Sequence, residues 1–181
     1  MRILLLTIVV LFLSACTSEE FDKASTEKFD KASTLAEQGD ASAQFNLGNM
    51  YRQGKGISQD YKQAVKWYRK AAEQGHARAQ NNLAFMYREG QGVTQDYKQA
   101  VKWLRKAAEQ GYARAQNNLG NMYREGKGIS QDYVLAHMWF NITAASGHKL
   151  AAKNRDIVAK KMSPSQIEKA QNMAREWTAK H

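Results

Sequence analysis

Proline and cysteine are scarce in this sequence. Its 181 residues include one proline, Pro164, and one cysteine, Cys16. Because proline interrupts helices, its scarcity favours a helical protein. The lack of a second cysteine excludes an internal disulfide and a thiolate metal cluster. A hydrophobic content of 43% is still that of a folded domain rather than a disordered chain.

Residue patterns that would indicate catalysis are also missing. The four histidines, at positions 76, 137, 148 and 181, do not have the H-x-x-x-H spacing of a metal site. No combination of serine, histidine and aspartate is suggested by the sequence. We therefore expect no enzymatic activity, no metal and no cofactor.

One glycine-rich stretch, GNMYREGKGIS at residues 120–130, superficially resembles a phosphate-binding loop. Such a loop requires G-x-x-x-x-G-K-[ST] after a buried strand. Here five residues separate Gly120 from Gly126, and Gly128 stands where the hydroxyl belongs. The preceding RAQNNL has no run of branched apolar residues, so we expect no phosphate site.

The N-terminus has the layout of a secretory signal. Arg2 precedes an apolar segment at residues 3–13, which is interrupted only by Thr7 and is too short to span a bilayer. The LSAC at residues 13–16 resembles the lipobox of bacterial lipoproteins, which implies removal of residues 1–15 and acylation of Cys16. An ordinary signal peptide with an incidental cysteine is the alternative.

By resemblance to Gram-negative lipoproteins, Thr17 after the cysteine favours the outer membrane, with the chain facing the periplasm. The net charge of +10 would ordinarily suggest a nucleic-acid partner. A protein of the cell envelope meets little nucleic acid. Acidic proteins, lipid headgroups or anionic envelope polymers are therefore the expected counterparts.

The rest of the chain is organised by a repeat of 36 residues. Three units, 40–75, 76–111 and 112–147, share glycine, alanine, leucine, tyrosine, aspartate and tryptophan positions, among them Leu47, Leu83 and Leu119; Tyr51, Tyr87 and Tyr123; Asp60, Asp96 and Asp132; Trp67, Trp103 and Trp139. The apolar spacing predicts a helix over about 41–53. Gly54 and Gly56 end it.

A second helix follows in each unit. Ser58 or Asp60 can cap the one in the first unit, which buries Ala64, Trp67 or Tyr68, and Ala71 and stops at Gly75. The repeated pattern A-x-x-x-L-[GA]-x-x-Y-x-x-G-x-G-[IV]-x-x-D-Y-x-x-A-x-x-W-x-x-x-A-A-x-x-G over residues 43–147 resembles the Sel-one-like repeat, a relative of the tetratricopeptide repeat.

This resemblance implies an all-α fold, a right-handed solenoid of helix pairs, and a role as a non-catalytic adaptor for protein partners. Cysteine-rich members of the family have been linked to hydrolysis of cell-wall substrates, and this chain lacks their cysteines. A cell-wall hydrolase is therefore a remote alternative. One departure from the pattern is Ala84, where the other units have glycine; we expect it to widen the local helix contact slightly.

Both ends of a solenoid need caps, because each repeat buries its face only against a neighbour. At residues 16–39 we expect an acylated tether and a cap helix with Phe21, Phe29 and Leu35 on one side; a disordered tether is the alternative. Residues 148–181 should be helical caps. A last helix from 164 to about 180 should cover an apolar face of the third repeat, pairing Val134, Met138 and Ile142 with Ile167, Ala170, Met173, Ala174 and Trp177.

Two surfaces are candidate interaction sites. The second helices carry Lys62, Lys66 and Lys70, then Lys98, Lys102 and Lys106, which form a solvated outer face or a membrane-facing patch. The first helices align Phe45, Asn49 and Arg52; Asn81, Phe85 and Arg88; Asn117, Asn121 and Arg124.

Because exposed aromatics beside arginine are typical of interfaces, we expect these nine first-helix residues to bind an acidic, partly extended protein or peptide. The alternative is that neighbouring repeats cover the phenylalanines. A second functional hypothesis is a structural envelope lipoprotein whose basic surface binds peptidoglycan or anionic lipid.

Overall fold

The computed structural model describes residues 26–181, which form helices joined by short turns. The helices are α1 (26–37), α2 (Ala41–Gln53), α3 (Tyr61–Glu73), α4 (Ala77–Glu89), α5 (Tyr97–Glu109), α6 (Ala113–Glu125), α7 (Tyr133–Ala145), α8 (Lys149–Ala159) and α9 (Pro164–Lys180). The predicted all-α solenoid is confirmed. Across residues 26–181 no helix combines the length and apolarity needed to cross a membrane. The signal segment and Cys16 lie outside the described residues.

Each repeat is a helix pair whose ends are set by specific residues. Gly54 ends α2 in the left-handed conformation (φ 67°), and its N–H donates to the carbonyl of Met50. Asp60, rather than Ser58, caps α3 and accepts hydrogen bonds from the N–H groups of Lys62 and Gln63. The acidic cap also suits the positive end of the helix. The glycines of residues 120–130 therefore belong to a helix–turn–helix unit.

The second glycine of the turn permits one repeat to approach the previous one. A Cβ on Gly92 would lie 2.2 Å from the carbonyl oxygen of Tyr61, and one on Gly128 would lie 2.3 Å from that of Tyr97. Both glycines also have φ near 70°. Any side chain here would separate the turn from the start of the preceding second helix.

Apolar side chains from both helices of each pair form two buried clusters, a large one through the solenoid and a small one beside the N-terminal cap. Leu47, Leu83 and Leu119 are fully buried, and so is Tyr68; the neighbouring Trp67 is 6% exposed. The sequence left open which of these two aromatic residues is buried, and the structure buries both. Trp67 packs with the N-terminal cap, whereas Tyr68 packs toward the second repeat.

A buried glutamine joins each first helix to the helix before it. The side-chain amides of Gln44, Gln80 and Gln116 donate to the carbonyls of Ala36, Ala72 and Ala108 at 3.0–3.2 Å. Those carbonyls lie in the last turns of α1, α3 and α5, and each also accepts a backbone hydrogen bond from the glycine three residues later. The glutamine thus supplies a second donor and ties the end of one helix to the next first helix.

Small and large residues are matched between the two helices of a repeat. A Cβ on Gly48 would lie 2.7 Å from the ring of Tyr68, and one on Gly120 would lie 2.7 Å from the ring of Phe140. In the second repeat the position equivalent to Tyr68 and Phe140 is Leu104, and Leu104 and Ala84 share the buried core. The expected widening at Ala84 is therefore compensated by a smaller partner.

The N-terminal cap uses a different helix face from the one predicted. Phe29 and Ala36 pack on the first repeat, and the Phe29 ring meets Tyr51 edge-on at 5.9 Å. Leu35 is 40% exposed. Residues 29 and 36 are seven apart, or almost two helical turns, and share a face that residue 35 does not. Phe21 lies outside the described residues.

The C-terminal helix packs on α7 as the sequence predicted, but two of the predicted contact residues, Val134 and Ile167, stay partly exposed and outside the core. Met138 and Ile142 of α7 and Ala170 and Ala174 of α9 are buried. Trp177 is only partly buried, with its ring edge-on to Trp139 at 5.7 Å between centroids. A capping box at Ser163 starts α9. This end of the solenoid is covered by the chain itself.

Candidate peptide-binding groove

The first helices α2, α4 and α6 together form a polar surface, which we call the first-helix groove. Its side chains include Asn49, Arg52, Asn82, Arg88 and Arg124, all partly exposed. The nine residues predicted from the sequence to contact a partner divide here into two groups. Six are partly exposed, and three are buried: Phe45 at 6%, Asn81 at 8% and Asn117 at 5% exposure.

Phe45 is covered by the next repeat. Its ring stacks on the imidazole of His76 at 4.8 Å and lies 6.1 Å from the ring of Tyr68. The guanidinium of Arg78 covers it at 4.9 Å. For Phe45 the alternative is therefore correct: the neighbouring repeat covers this phenylalanine. Phe85, in contrast, remains partly exposed beside Arg88, whose guanidinium lies 5.3 Å from the ring centroid.

The buried asparagines hold neighbouring repeats together. Asn118 donates to the side-chain oxygen of Asn81 at 3.0 Å, and Asn154 donates to that of Asn117 at 3.2 Å. Each bond connects residues 37 positions apart. Asn81 and Asn117 were expected to bond a partner's backbone, but they use these oxygens inside the solenoid.

The first repeat has a different hydrogen-bond arrangement because Phe45 replaces the buried asparagine. Asn82 donates to the side-chain oxygen of Asn49 at 3.3 Å, and the hydroxyl of Tyr68 donates to the same oxygen at 2.8 Å. Arg52 Nε in turn donates to that hydroxyl at 3.1 Å. These bonds fix Arg52 against the groove wall.

Burial raises the pKa of Tyr68, and the Arg52 guanidinium opposes this effect in part. The phenol is therefore neutral and can donate to Asn49 while accepting from Arg52. The Tyr68 hydroxyl orients the Arg52 guanidinium and leaves its positive charge in place, whereas a carboxylate partner would neutralise that charge.

The three arginines predicted to form a row are not equivalent. Arg88 pairs with Glu89 at 2.6 Å and Arg124 with Glu125 at 2.9 Å. The residue that follows Arg52 is Gln53, so this arginine has no neighbouring carboxylate. Its two terminal nitrogens make no hydrogen bond or ion pair within residues 26–181.

A hollow of about 370 Å³ lies between the three first helices beside Arg52. Arg78 and Arg114, which the sequence reasoning missed, also line it, and no carboxylate does so among the described residues. The polar lining includes Asn49, Asn82 and Tyr112. A sequence signal did exist: the positions equivalent to Arg78 and Arg114 hold Ser42 in the first repeat and Leu150 after the third.

The lysines of the second helices form an exposed face on α3 and α5. Lys66 and Lys70 lie 5.6 and 4.5 Å from the centroid of Trp67, and Lys102 and Lys106 lie 5.8 and 5.0 Å from that of Trp103. Their aliphatic stems thus cover the edge of the core while their charges reach water. Across the described part of the chain, no cluster of three or more His, Cys, Asp or Glu side chains could hold a metal ion.

Comparisons with known proteins agree on the architecture. A crystal structure of a protective antigen present in uropathogenic Escherichia coli strains, displaying an SLR fold, matches with 40% identity and a TM-score of 0.78 over 82% of this chain. The chain spans 32% of that protein. A Sel1 repeat protein from Oxalobacter formigenes matches with 40% identity and a TM-score of 0.64, covering 70% of this chain and 95% of that one. No curated protein matches the sequence.

The family model for the Sel1 repeat matches three consecutive segments, residues 41–76, 77–112 and 113–148. Together they account for more than half of the chain and contain the six helices α2 to α7. Sel1 repeat proteins are typically protein–protein interaction scaffolds and are generally non-catalytic. The chain belongs to the Sel1 repeat family.

Proposed function

We propose that this chain is a non-catalytic adaptor that binds an acidic protein or peptide in its first-helix groove. The observation that supports this most is that Arg52, Arg78 and Arg114 line one hollow of the groove with no carboxylate among its lining residues. The whole chain has 27 basic and 17 acidic residues. Guanidinium groups bind carboxylates through paired, charge-assisted hydrogen bonds. Six of the nine predicted contact residues remain accessible for such a partner.

Acyl chains on Cys16 would hold this adaptor in the cell envelope, with the solenoid in the periplasm and the outer membrane as the expected site. This localisation rests on LSAC at residues 13–16 and on Thr17. Multiple acyl chains bind a bilayer far better than one, at about 0.8 kcal/mol per buried methylene. Cys16→Ser should therefore leave an unprocessed or soluble protein that lacks the acyl mass; an unchanged mass and membrane fraction would contradict the anchor.

The second candidate is a structural envelope protein whose lysine face binds peptidoglycan or anionic lipid. It is favoured by the exposed lysines of α3 and α5. The three on α3 line a surface hollow of about 470 Å³ together with Val65, Arg69, Glu73 and Val93. Surface lysines on a soluble helix commonly serve solubility alone. For this reason we rank this function below the adaptor.

One experiment separates the two functions. The experiment compares the wild-type protein with two variants. In one variant the groove arginines are replaced by alanine, and in the other the α3 and α5 lysines are. Each protein is used to capture proteins from solubilised envelope and is tested for sedimentation with purified peptidoglycan. An adaptor loses its protein partner only in the arginine variant. Loss of peptidoglycan binding in the lysine variant, with no protein captured by the wild type, would favour the structural role.

A further inference from the structure

The hollow between α2, α4 and α6 brings together arginines from three successive repeats. Arg52 comes from the first repeat, Arg78 from the second and Arg114 from the third. Residues 52 and 114 are far apart in sequence, so only the winding of the solenoid places them around one cavity. A site assembled in this way does not exist on any single repeat.

All three guanidinium groups keep N–H donors with which they can bind an anion. Arg114 makes no hydrogen bond, ion pair or ring contact within residues 26–181. Arg78 lies against the Phe45 ring, and Arg52 is held through Nε by the Tyr68 hydroxyl. Both contacts leave terminal N–H groups for a ligand, because a guanidinium carries five donors.

Neutral polar groups complete the site. Asn49 and Asn82 line the same hollow and are already oriented by their hydrogen bond to each other. The Tyr112 side chain also lines it and accepts no cap hydrogen bond from α6. Amide and hydroxyl groups of this kind can bond the backbone on either side of a charged side chain.

We propose that this Arg52–Arg78–Arg114 site binds adjacent carboxylate side chains of an acidic peptide segment. Three positive charges around a cavity of about 370 Å³ exceed what one carboxylate neutralises, so adjacent carboxylates match the site better than a single one. The inference rests on the proposed function and deepens it. It moves the centre of recognition from the row of equivalent arginines to the hollow that Arg52, Arg78 and Arg114 share.

The paired arginines provide matched controls. Arg88 and Arg124 occupy positions equivalent to Arg52 but are already engaged by Glu89 and Glu125. If charge alone mattered, removing any of these arginines would weaken binding equally. If the site is built as proposed, only the unpaired arginines should have a large effect.

The test uses the full-length chain in a nonionic detergent and a fluorescein-labelled octapeptide with four consecutive glutamates and an amidated C-terminus. Arg114→Ala should weaken binding about tenfold or more, the loss of about 1.4 kcal/mol expected for a charge-assisted contact. Arg88→Ala and Arg124→Ala should change binding less than threefold. The glutamine version of the peptide should not bind, and affinity should fall as salt rises.

Equal weakening by the three substitutions would overturn the site and indicate nonspecific charge attraction. Displacement of the peptide by inorganic phosphate at a lower concentration than by glutarate would overturn the assignment to carboxylates. Because Arg114 makes no hydrogen bond, ion pair or ring contact within residues 26–181, its substitution should leave the unfolding midpoint unchanged. The proposed function and this site can fail independently. The proposed function is wrong if the wild-type protein captures no envelope protein. The site is wrong if Arg114→Ala still captures every partner that the wild type captures.

Discussion

The match between a small residue on the first helix and a large one on the second offers a direct mutational test of the packing. The Cβ of an alanine at position 120 would lie 2.7 Å from the Phe140 ring, which is fully buried. Carbon atoms normally pack at about 3.5–4.0 Å, so the ring would have to move by about 1 Å. The core has little free space for that movement.

The expected cost of Gly120→Ala follows from two opposing contributions. Overpacking a core costs about 1–3 kcal/mol, whereas alanine favours a helix over glycine by about 1 kcal/mol. Since the contact is far inside normal separation, we expect a net loss of about 1–2 kcal/mol. For a chain of this size, that corresponds to a fall in Tm of about 2–8 °C.

A double-mutant cycle identifies the cause. Phe140→Leu alone should leave a void and cost about 1–2 kcal/mol. Combined with Gly120→Ala, it reproduces the alanine and leucine pair that the second repeat has at Ala84 and Leu104. The double variant should therefore be more stable than the sum of the single changes predicts, by about 1–2 kcal/mol.

Urea unfolding followed by circular dichroism measures all three variants. Ala84→Gly is the reverse control, which should cost about 2 kcal/mol through lost helix propensity and one lost buried methyl group. Additivity of the two changes within about 0.5 kcal/mol, or stabilisation by Gly120→Ala alone, would refute the packing argument.

Two further predictions concern pH and the C-terminal cap. The Nδ1 of His76 caps α4, and burial lowers the pKa of this imidazole below its ordinary value of 6.5. The stability that the neutral imidazole contributes is therefore fully present above pH 6.5. It is lost as the pH falls from there through the lowered pKa of the folded state. His76→Asp copies Asp40, which caps the equivalent helix of the first repeat. The free energy of unfolding should then depend less on pH in this window, and the remaining dependence comes from buried His137. An unchanged slope of unfolding free energy against pH would contradict the cap. Trp177→Ala, which removes the edge contact with Trp139, should cost about 1–2 kcal/mol because the indole is only partly buried; an unchanged Tm would contradict α9 docking.

Helix bounds could be predicted closely from the sequence because their signals are local. The predicted helix over about 41–53 is Ala41–Gln53, and the predicted final helix is Pro164–Lys180. In both cases a glycine, proline or capping residue lies next to a periodic apolar stripe. Such signals depend on a few neighbouring residues and not on the rest of the fold.

The exposure of the groove residues could not be predicted in the same way. Residues 45, 81 and 117 share one place in the repeat, and helical geometry alone turns them away from Leu47. Their burial comes from the following repeat, through His76 and Arg78 at Phe45 and through hydrogen bonds from Asn118 and Asn154. How closely one repeat covers another depends on the stacking angle, which a single helical period does not specify.

The positions that differ between repeats carry the functional information in this chain. Gln44 and Asp60, which recur in all three repeats, have their hydrogen-bonding groups engaged by the fold. Arg52 is left unpaired because Gln53 stands where the other repeats have glutamate, and Arg114 has no counterpart in the first repeat. A regular solenoid provides the curvature, and its irregular positions provide the charges that a partner can recognise. Replacing Gln53 by Glu should thus pair Arg52 as Arg88 is paired and weaken binding of the glutamate octapeptide; equal binding by Gln53→Glu would show that the free guanidinium of Arg52 contributes nothing to recognition.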